Sequence, residues 1–161
     1  MYTSNDNYRY PSRKNPRNQA IDYSAPNYYF ITICTDQKAC IFGEPNQLNE
    51  FGKIALDGIE QISVHYPEVT VDKCVVMPNH IHAILILTGN GRSVSDIVCS
   101  YKAYVTKRIH EIQPIRKVWQ SSFHDHVIRN QQSYEKIWLY IEGNPLNWNK
   151  DCFYSDMQRR N

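Results

Sequence analysis

The chain has 161 residues, 42% of them hydrophobic, and a formal net charge of +2 at pH 7. This length and hydrophobic content predict one domain with a real core, while the small charge does not by itself indicate nucleic-acid binding. Five cysteines, odd in number and without a Cys-x-x-Cys pair, argue against a disulfide framework or a zinc ribbon. Because we find no signal-peptide core and no bilayer-length apolar run, we expect a cytoplasmic protein without a membrane partner.

Positive charge is concentrated near the N-terminus, where cations are mixed with tyrosines. Residues 1–26 have no apolar period, so we expect a flexible basic and aromatic arm that includes Arg9, Arg13 and Lys14. Cations can follow phosphates and aromatic rings can stack on unpaired bases, which makes these three residues candidates for contacts with single strands. The alternative is a solvated tail without a ligand.

The first predicted elements are a strand and a helix. Residues 28–35 are β-branched and aromatic, which predicts a strand, and loop residues follow over 36–45. Asn49 is a candidate N-cap for a helix that extends to about residue 64, although Gly52 and Gly58 weaken that prediction.

Two strands joined by a Pro-Asn turn follow. Val69, Val71, Val75 and Met77 alternate through the first of them, and residues 80–87 form the second. This second strand is apolar on both faces beyond residue 83. That pattern is typical of a central strand covered by helices on one side and by a partner or substrate on the other.

Ser93 and Asp96 form a capping-box signature for a helix that ends near residue 112. Its cations lie off the buried stripe and could face phosphate, or could serve solubility alone. Residues 118–128 then predict a strand and residues 130–143 a final helix. With the preceding loop, the candidate DNA-binding residues of this region are Arg92, Lys102, Lys107 and Arg108.

The predicted order is strand, helix, two strands, helix, strand, helix. This order indicates an α+β fold, with a ferredoxin-like antiparallel sheet and helices packed mainly on one face. We expect the domain to span residues 27–150, followed by a C-terminal tail over residues 151–161.

The candidate chemistry lies on the central strand and at the end of the last helix. His80 and His82 share one face of a strand, so their imidazoles form half of a divalent-metal site. Tyr140 and Asn144 are four residues apart on a helix, where they could meet the metal as nucleophile and oxygen ligand. A rival His-x-His pair exists on the last predicted strand, at His124 and His126, and spacing alone does not choose between the two pairs.

Several segments match, in order and at familiar separations, a pattern known from one family. They are Asp-Tyr-Ser at 22–24, Tyr-Phe-Ile-Thr-Ile-Cys-Thr at 29–35, Met-Pro-Asn-His-Ile-His at 77–82, the segment from 118 to 130, and Tyr-Ile-x-x-Asn-Pro at 140–145. Together they resemble the HUH single-tyrosine transposases, most closely the REP-associated tyrosine transposases, over residues 22–148.

The resemblance implies a specific activity. It assigns the metal to His80 and His82, with Asn144 as an oxygen ligand, and it leaves His124 and His126 near the site at most. This ligand set suits Mg²⁺ or Mn²⁺. Tyr140 would attack a single-stranded DNA hairpin and form a 5′-phosphotyrosine link, in a protein that works as a monomer or a homodimer.

Two other functions stay open on the sequence. One is a metal phosphodiesterase that uses water as its nucleophile and has no need of Tyr140. The other is a non-catalytic single-strand binder, for which Tyr28, Tyr29 and Phe30 would act as stacking platforms.

Overall fold

In the computed structural model, residues 27–89 and 91–154 are described. The predicted N-terminal arm, including Arg9, Arg13 and Lys14, lies outside the described residues, as does the predicted tail beyond residue 154. Within the described ranges, no helix is long and apolar enough to cross a bilayer.

A four-stranded antiparallel sheet forms the centre of the fold, with its strands in the order Val69–Met77, His80–Leu87, Asn27–Cys34 and His124–Ile128, beside a separate two-stranded hairpin. The order of strands and helices confirms the predicted α+β class. The strands are β1 (Asn27–Cys34), β2 (Gly43–Glu44), β3 (Gln47–Leu48), β4 (Val69–Met77), β5 (His80–Leu87) and β6 (His124–Ile128). The helices are α1 (Glu50–Glu60), α2 (Ile62–His65), α3 (Val94–Ile112) and α4 (Gln131–Gly143), with 3-10 helices at Asp36–Lys38 and Pro145–Lys150.

Side-chain caps fix where the long helices begin. The Asn49 side chain accepts a hydrogen bond from Gly52 at the start of α1, and Asn130 accepts one from Ser133 at the start of α4. Ser93 and Asp96 form a complete capping box at the start of α3. Each cap satisfies a backbone N–H that has no partner inside the helix. The predicted caps at Asn49 and Ser93 are therefore confirmed.

The larger core lies between the sheet and the two helices α1 and α3. Alternate residues of β5, among them Ile81, Ala83 and Leu85, point into this core. The two helices approach closely at Gly58, where a Cβ would lie only 2.9 Å from the Tyr101 ring. Gly58, one of the two glycines that weaken the helix prediction, is thus required by the packing of α1 on α3.

The opposite face of the sheet is covered by α4 and the 3-10 helix that follows it. Phe30 of β1 and Ile84 of β5 pack there against Ile137 and Ile141 of α4. Since residues alternate along a strand, His80 and His82 share this face with Ile84. The site face is therefore separate from the larger core.

Two predictions about strands need correction. The last strand does not begin at residue 118: β6 covers only His124–Ile128, and Trp119 forms an isolated bridge with Thr35. The intervening segment is held instead by Lys102, whose Nζ donates to the carbonyls of Gln120 (2.7 Å) and Ser122 (3.1 Å). The Gln120 amide still donates to the Cys34 carbonyl, and beyond that bond a side chain from α3 takes the place of the backbone ladder.

The second correction concerns the face on which β4 places its valines. Val71 pairs with Leu85 and Lys73 with Ile84, so Asp72 is an extra residue that forms a β-bulge. The extra residue shifts the alternation of side chains between the two faces by one position. Val69 and Val71 consequently pack with the larger core, whereas Val75 and Met77 face the site, and the simple alternation predicted for the four is wrong.

Lys102 provides a test of the fold. We expect Lys102→Ala to lower the free energy of unfolding by about 1–3 kcal/mol, because two carbonyls lose their donor. Lys107→Ala, an exposed lysine on the same helix, should change it by less than about 0.5 kcal/mol. Urea unfolding followed by circular dichroism measures both values, and equal stability of the two variants would contradict the role given to Lys102.

Candidate metal centre and tyrosine

His80 and His82 lie side by side on β5, with their ring centroids 4.5 Å apart. Both are fully buried, at 0% exposure. A strand at the centre of a sheet holds its side chains rigidly, so the two imidazoles are fixed relative to each other without any ligand.

The protonation of His80 is fixed by its neighbour in the turn. The Asn79 Nδ2 donates to the carbonyl oxygens of Phe153 (2.6 Å) and Lys38 (3.1 Å). Carbonyl oxygens only accept, so the amide Oδ1 must be the atom that lies 2.8 Å from His80 Nδ1. Nδ1 therefore carries the proton of the neutral ring, and Nε2 keeps its lone pair.

Burial keeps both rings neutral. It lowers the pKa of His80 to about 4, although the nearby Asp151 carboxylate and the Asn144 side chain oppose that shift. Burial also lowers the pKa of His82 well below its usual value, with smaller contributions from His80 and His124. A neutral imidazole is the form that binds metal, so at neutral pH neither ring must first lose a proton.

Tyr140 reaches this pair from α4. Its hydroxyl lies 3.4 Å from His82 Nε2, although the two residues are 58 positions apart in the chain. The other ring nitrogen of His82, Nδ1, lies 2.8 Å from the Thr32 hydroxyl. The Tyr140 ring also packs edge-on against Phe30, which holds it over the sheet.

Asn144 follows one turn after Tyr140 and is only 3% exposed. Its Nδ2 donates to Asp151 Oδ2 at 2.8 Å. Its Oδ1, like Nε2 of His80, is a buried atom without a hydrogen bond among the described residues. Two buried polar atoms without partners in one place fit a site shaped for an additional ligand.

Asp151 is the site residue that the sequence did not predict. Its Oδ2 lies 3.9 Å from His80 Nε2, and its Oδ1 accepts a hydrogen bond of 2.7 Å from the Phe153 amide. The possible ligand atoms of His80, His82 and Asp151 all lie within 4.8 Å of one another. Asp151 falls in the predicted tail, and no spacing in the sequence relates it to the histidines.

The donor set fits a divalent cation. Two imidazole nitrogens and a carboxylate oxygen could hold a metal, and the amide oxygen of Asn144 is a further donor. Mixed nitrogen and oxygen ligands of this kind suit Mn²⁺, and tolerate Mg²⁺.

The residues after α4 cover the histidines. The Phe153 ring lies 4.5 Å from the His80 ring at an interplanar angle of 36°, and Trp148 lies 5.9 Å from it. Phe153 and Trp148 join Cys34 and Met77 in a small apolar cluster. This cluster separates the imidazoles from solvent.

The rival histidines lie on the same face but outside the three-residue group. In the register of β6 against β1, His124 pairs with Thr32 and His126 with Phe30. His124 is near enough to His82 to lower its pKa, and His126 is exposed. Among the described residues, His80, His82 and Asp151 are the group of three possible ligands close enough together to hold one metal ion, and neither His124 nor His126 belongs to it.

The predicted DNA-binding residues that the structure describes lie away from this centre. Lys102, Lys107 and Arg108 belong to α3, which packs on the opposite face of the sheet. Lys102 is engaged with two carbonyls, Arg108 pairs with Glu111 at 3.4 Å, and Arg92 lies over the Tyr66 ring. The structure thus does not bring these cations to the histidines.

The stacking platform predicted for a single-strand binder is wrong in two of its three residues. Tyr29 is 0% and Phe30 2% exposed, because each packs into one of the two cores. Only Tyr28 is exposed, at 42%. A row of rings open to bases is therefore missing from β1.

Comparison with known proteins gives a family match over most of the chain. The family model described as "Transposase IS200 like" matches residues 24–144. An uncharacterized protein of Haemophilus influenzae is 32% identical over 89% of this chain and 94% of its own length. A second protein of that organism, provisionally named a REP-associated tyrosine transposase, is 26% identical over 88% of this chain and 86% of its own length.

Two solved structures share the fold. A REP-associated tyrosine transposase bound to a REP hairpin superposes with a TM-score of 0.66 and 20% identity, over 82% of this chain and 74% of that chain. A provisionally named transposase from Deinococcus radiodurans gives a TM-score of 0.54 and 17% identity, over 79% of this chain and 97% of that chain. At these sequence identities the comparison shows a shared fold and no more.

The metal centre can be tested without DNA. We expect Mn²⁺ to raise the Tm of the protein, since a ligand at a hundredfold excess over its Kd stabilises the folded state by about 2.7 kcal/mol. His80→Ala should remove most of that shift, because one imidazole alone holds the ion weakly. His126→Ala, on the rival pair, should keep it. Loss of the shift in His126→Ala with its retention in His80→Ala would place the ion at the other pair.

Proposed function

The chain belongs to the IS200-like transposase family, whose members cut and rejoin DNA, and we propose that it is a metal-dependent single-tyrosine transposase acting on single-stranded DNA hairpins. The observation that supports this most directly is the position of the Tyr140 hydroxyl, 3.4 Å from His82 Nε2. A nucleophile and a candidate metal site meet there from two distant parts of the chain.

Tyr140 is the proposed nucleophile. Its oxygen forms a bond to the scissile phosphorus while the bond from phosphorus to the 3′-oxygen breaks, which leaves a 5′-phosphotyrosine and a free 3′-hydroxyl. The phenol loses one proton and the leaving oxygen gains one, so the step is balanced without a co-reactant. Because the phosphodiester energy is kept in the tyrosyl link, rejoining needs no ATP.

The remaining site residues would hold the metal and keep water away from it. His80 and His82 would bind the metal through Nε2, with oxygen from Asn144 and Asp151. Mn²⁺ or Mg²⁺ held by these residues would supply Lewis-acid polarisation of the phosphate, which a phenol with a usual pKa near 10 requires at neutral pH. Phe153 keeps bulk water from the two imidazoles, which favours the tyrosine over water as nucleophile.

The proposed substrate is a folded single strand. The solved relative with a TM-score of 0.66 is described as bound to a REP hairpin, and this supports a hairpin substrate here. Arg9, Arg13 and Lys14 are the proposed phosphate contacts of the arm, whereas the α3 cations lie on the other face of the sheet. We keep both a monomer and a homodimer as working assemblies.

The chemistry can be tested with one hydroxyl removed. Tyr140→Phe should abolish cleavage of labelled hairpins in Mn²⁺, and no covalent protein–DNA product should appear on a denaturing gel. Tyr134→Phe is the matched control, since this tyrosine is on the same helix but bonds to Asp72 instead. Both variants should stay folded, because the rings are retained.

Two outcomes would contradict this proposal. A covalent product formed by Tyr140→Phe would point to another tyrosine. Cleavage without any covalent product, in the parent as well as in Tyr140→Phe, would favour the phosphodiesterase that uses water.

Asn144 and Asp151 can be ranked as oxygen ligands. We expect Asp151→Asn to raise the Mn²⁺ concentration for half-maximal cleavage more than Asn144→Ala does, because a carboxylate is the stronger ligand for a hard cation. Excess Mn²⁺ should restore part of the activity of both variants. Titration of cleavage rate against Mn²⁺ gives the ranking, and the reverse order would make Asn144 the principal oxygen ligand.

A further inference from the structure

Asn79 occupies the turn between β4 and β5 and is fully buried, at 0% exposure. Its backbone carbonyl accepts a hydrogen bond of 3.0 Å from the Thr35 amide, and it shares the Thr35 hydroxyl hydrogen (3.0 Å) with the Ala39 carbonyl (2.8 Å). The backbone of Asn79 is thereby fixed to the end of β1, and its side-chain amide lies against the His80 ring.

We propose that Asn79 is a positioning residue that holds two parts of the metal centre at once, His80 through its oxygen and the segment Asp151–Phe153 through its nitrogen. The proposal rests on the metal site proposed above. It assigns no contact between Asn79 and the metal or the DNA.

The oxygen end selects the tautomer of His80. With Oδ1 as a fixed acceptor 2.8 Å from Nδ1, the proton of the neutral ring is held on the side away from the site. Without that acceptor the proton can move to Nε2, and a ring protonated there cannot bind a metal through that atom. Fixing a ligand ring through its second nitrogen is a general way to raise metal affinity.

The nitrogen end positions the carboxylate through a chain of hydrogen bonds. Asn79 Nδ2 donates to the Phe153 carbonyl at 2.6 Å, and the Phe153 amide donates to Asp151 Oδ1 at 2.7 Å. Asp151 Oδ2 then accepts from Asn144 Nδ2 at 2.8 Å. The chain of contacts returns to the site, where the same Oδ2 lies 3.9 Å from His80 Nε2.

Asparagine is the smallest side chain that can do both jobs. The position requires one acceptor for His80 and two donors, for the carbonyls of Phe153 and Lys38. An ionised aspartate accepts but does not donate, and serine has only one hydrogen to give. Asn79→Asp therefore separates the two roles, since it keeps the acceptor for His80 and loses the hold on Phe153.

The experiment compares Asn79→Ala and Asn79→Asp with the parent in the full chain. The ¹⁵N shifts of the His80 ring in metal-free protein report its tautomer, hydrogen exchange reports the amides of residues 151–154, and calorimetry reports Mn²⁺ affinity. The matched control is Asn49→Ala, which also removes two hydrogen bonds of an asparagine side chain, but at the α1 cap.

We expect Asn79→Ala to mix the two tautomers of His80, to speed exchange in residues 151–154, and to weaken Mn²⁺ binding by about 10- to 100-fold. Asn79→Asp should keep the parent tautomer and show only the faster exchange, with a smaller loss of affinity. Asn49→Ala should match the parent in all three measurements even if it is less stable.

A parent-like tautomer and a parent-like Mn²⁺ affinity in Asn79→Ala would overturn the proposal, as would parent-like exchange in Asn79→Asp. If Asn79→Ala does not fold, the exchange in Asn79→Asp still decides the role of the nitrogen end. Failure of the parent to bind Mn²⁺ would instead refute the metal site of the proposed function, while the tautomer measurement would still report on Asn79.

Discussion

The fold depends on one constraint, that β5 is paired on both edges and buried on both faces. Its alternating side chains must therefore serve two different environments, an apolar core against α1 and α3 on one side and the histidine face on the other. Because the strand is held by β1 and β4 along its whole length, His80 and His82 have no freedom to turn away from each other. The rigidity of the site is a property of the sheet, and α4 contributes Tyr140 to a face that is already set.

Placing so many polar groups in a buried site has a cost, and the hydrogen-bond pattern shows where it is offset. Asn79, Thr32 and Asp151 are each buried and each hydrogen-bonded, while neutral imidazoles avoid the larger cost of buried charge. Two candidate ligand atoms, His80 Nε2 and Asn144 Oδ1, have no hydrogen-bond partner among the residues that the structure describes. A buried polar atom without a partner lowers the stability of the folded state by about 1–3 kcal/mol. A cation that binds both of these atoms would remove that cost.

The sequence predicts the parts of this arrangement that are local. The cap at Asn49, the two-residue step from His80 to His82 and the four-residue step from Tyr140 to Asn144 all follow from spacing, and the element order follows from the residue patterns of the successive segments. Asp151 could not be predicted, because its position depends on the approach of its segment to His80 and Asn79, which are distant in sequence, and on a 3-10 helix that has no hydrophobic period. The start of β6 could not be predicted either, because the segment before it is held by Lys102, a residue of α3 that is distant in sequence.

The bulge at Asp72 has a consequence for how the length of such a chain can vary in evolution. Val71 pairs with Leu85 and Lys73 with Ile84, so a chain that lacks Asp72 keeps all the remaining side chains of β4 on their present faces. Loss of a residue elsewhere in the strand, with the bulge retained, turns one end of β4 over and exchanges its core-facing and outward-facing side chains. A one-residue deletion in β4 should therefore be tolerated best at the bulge, where it removes the hydrogen bond that Asp72 accepts from Tyr134.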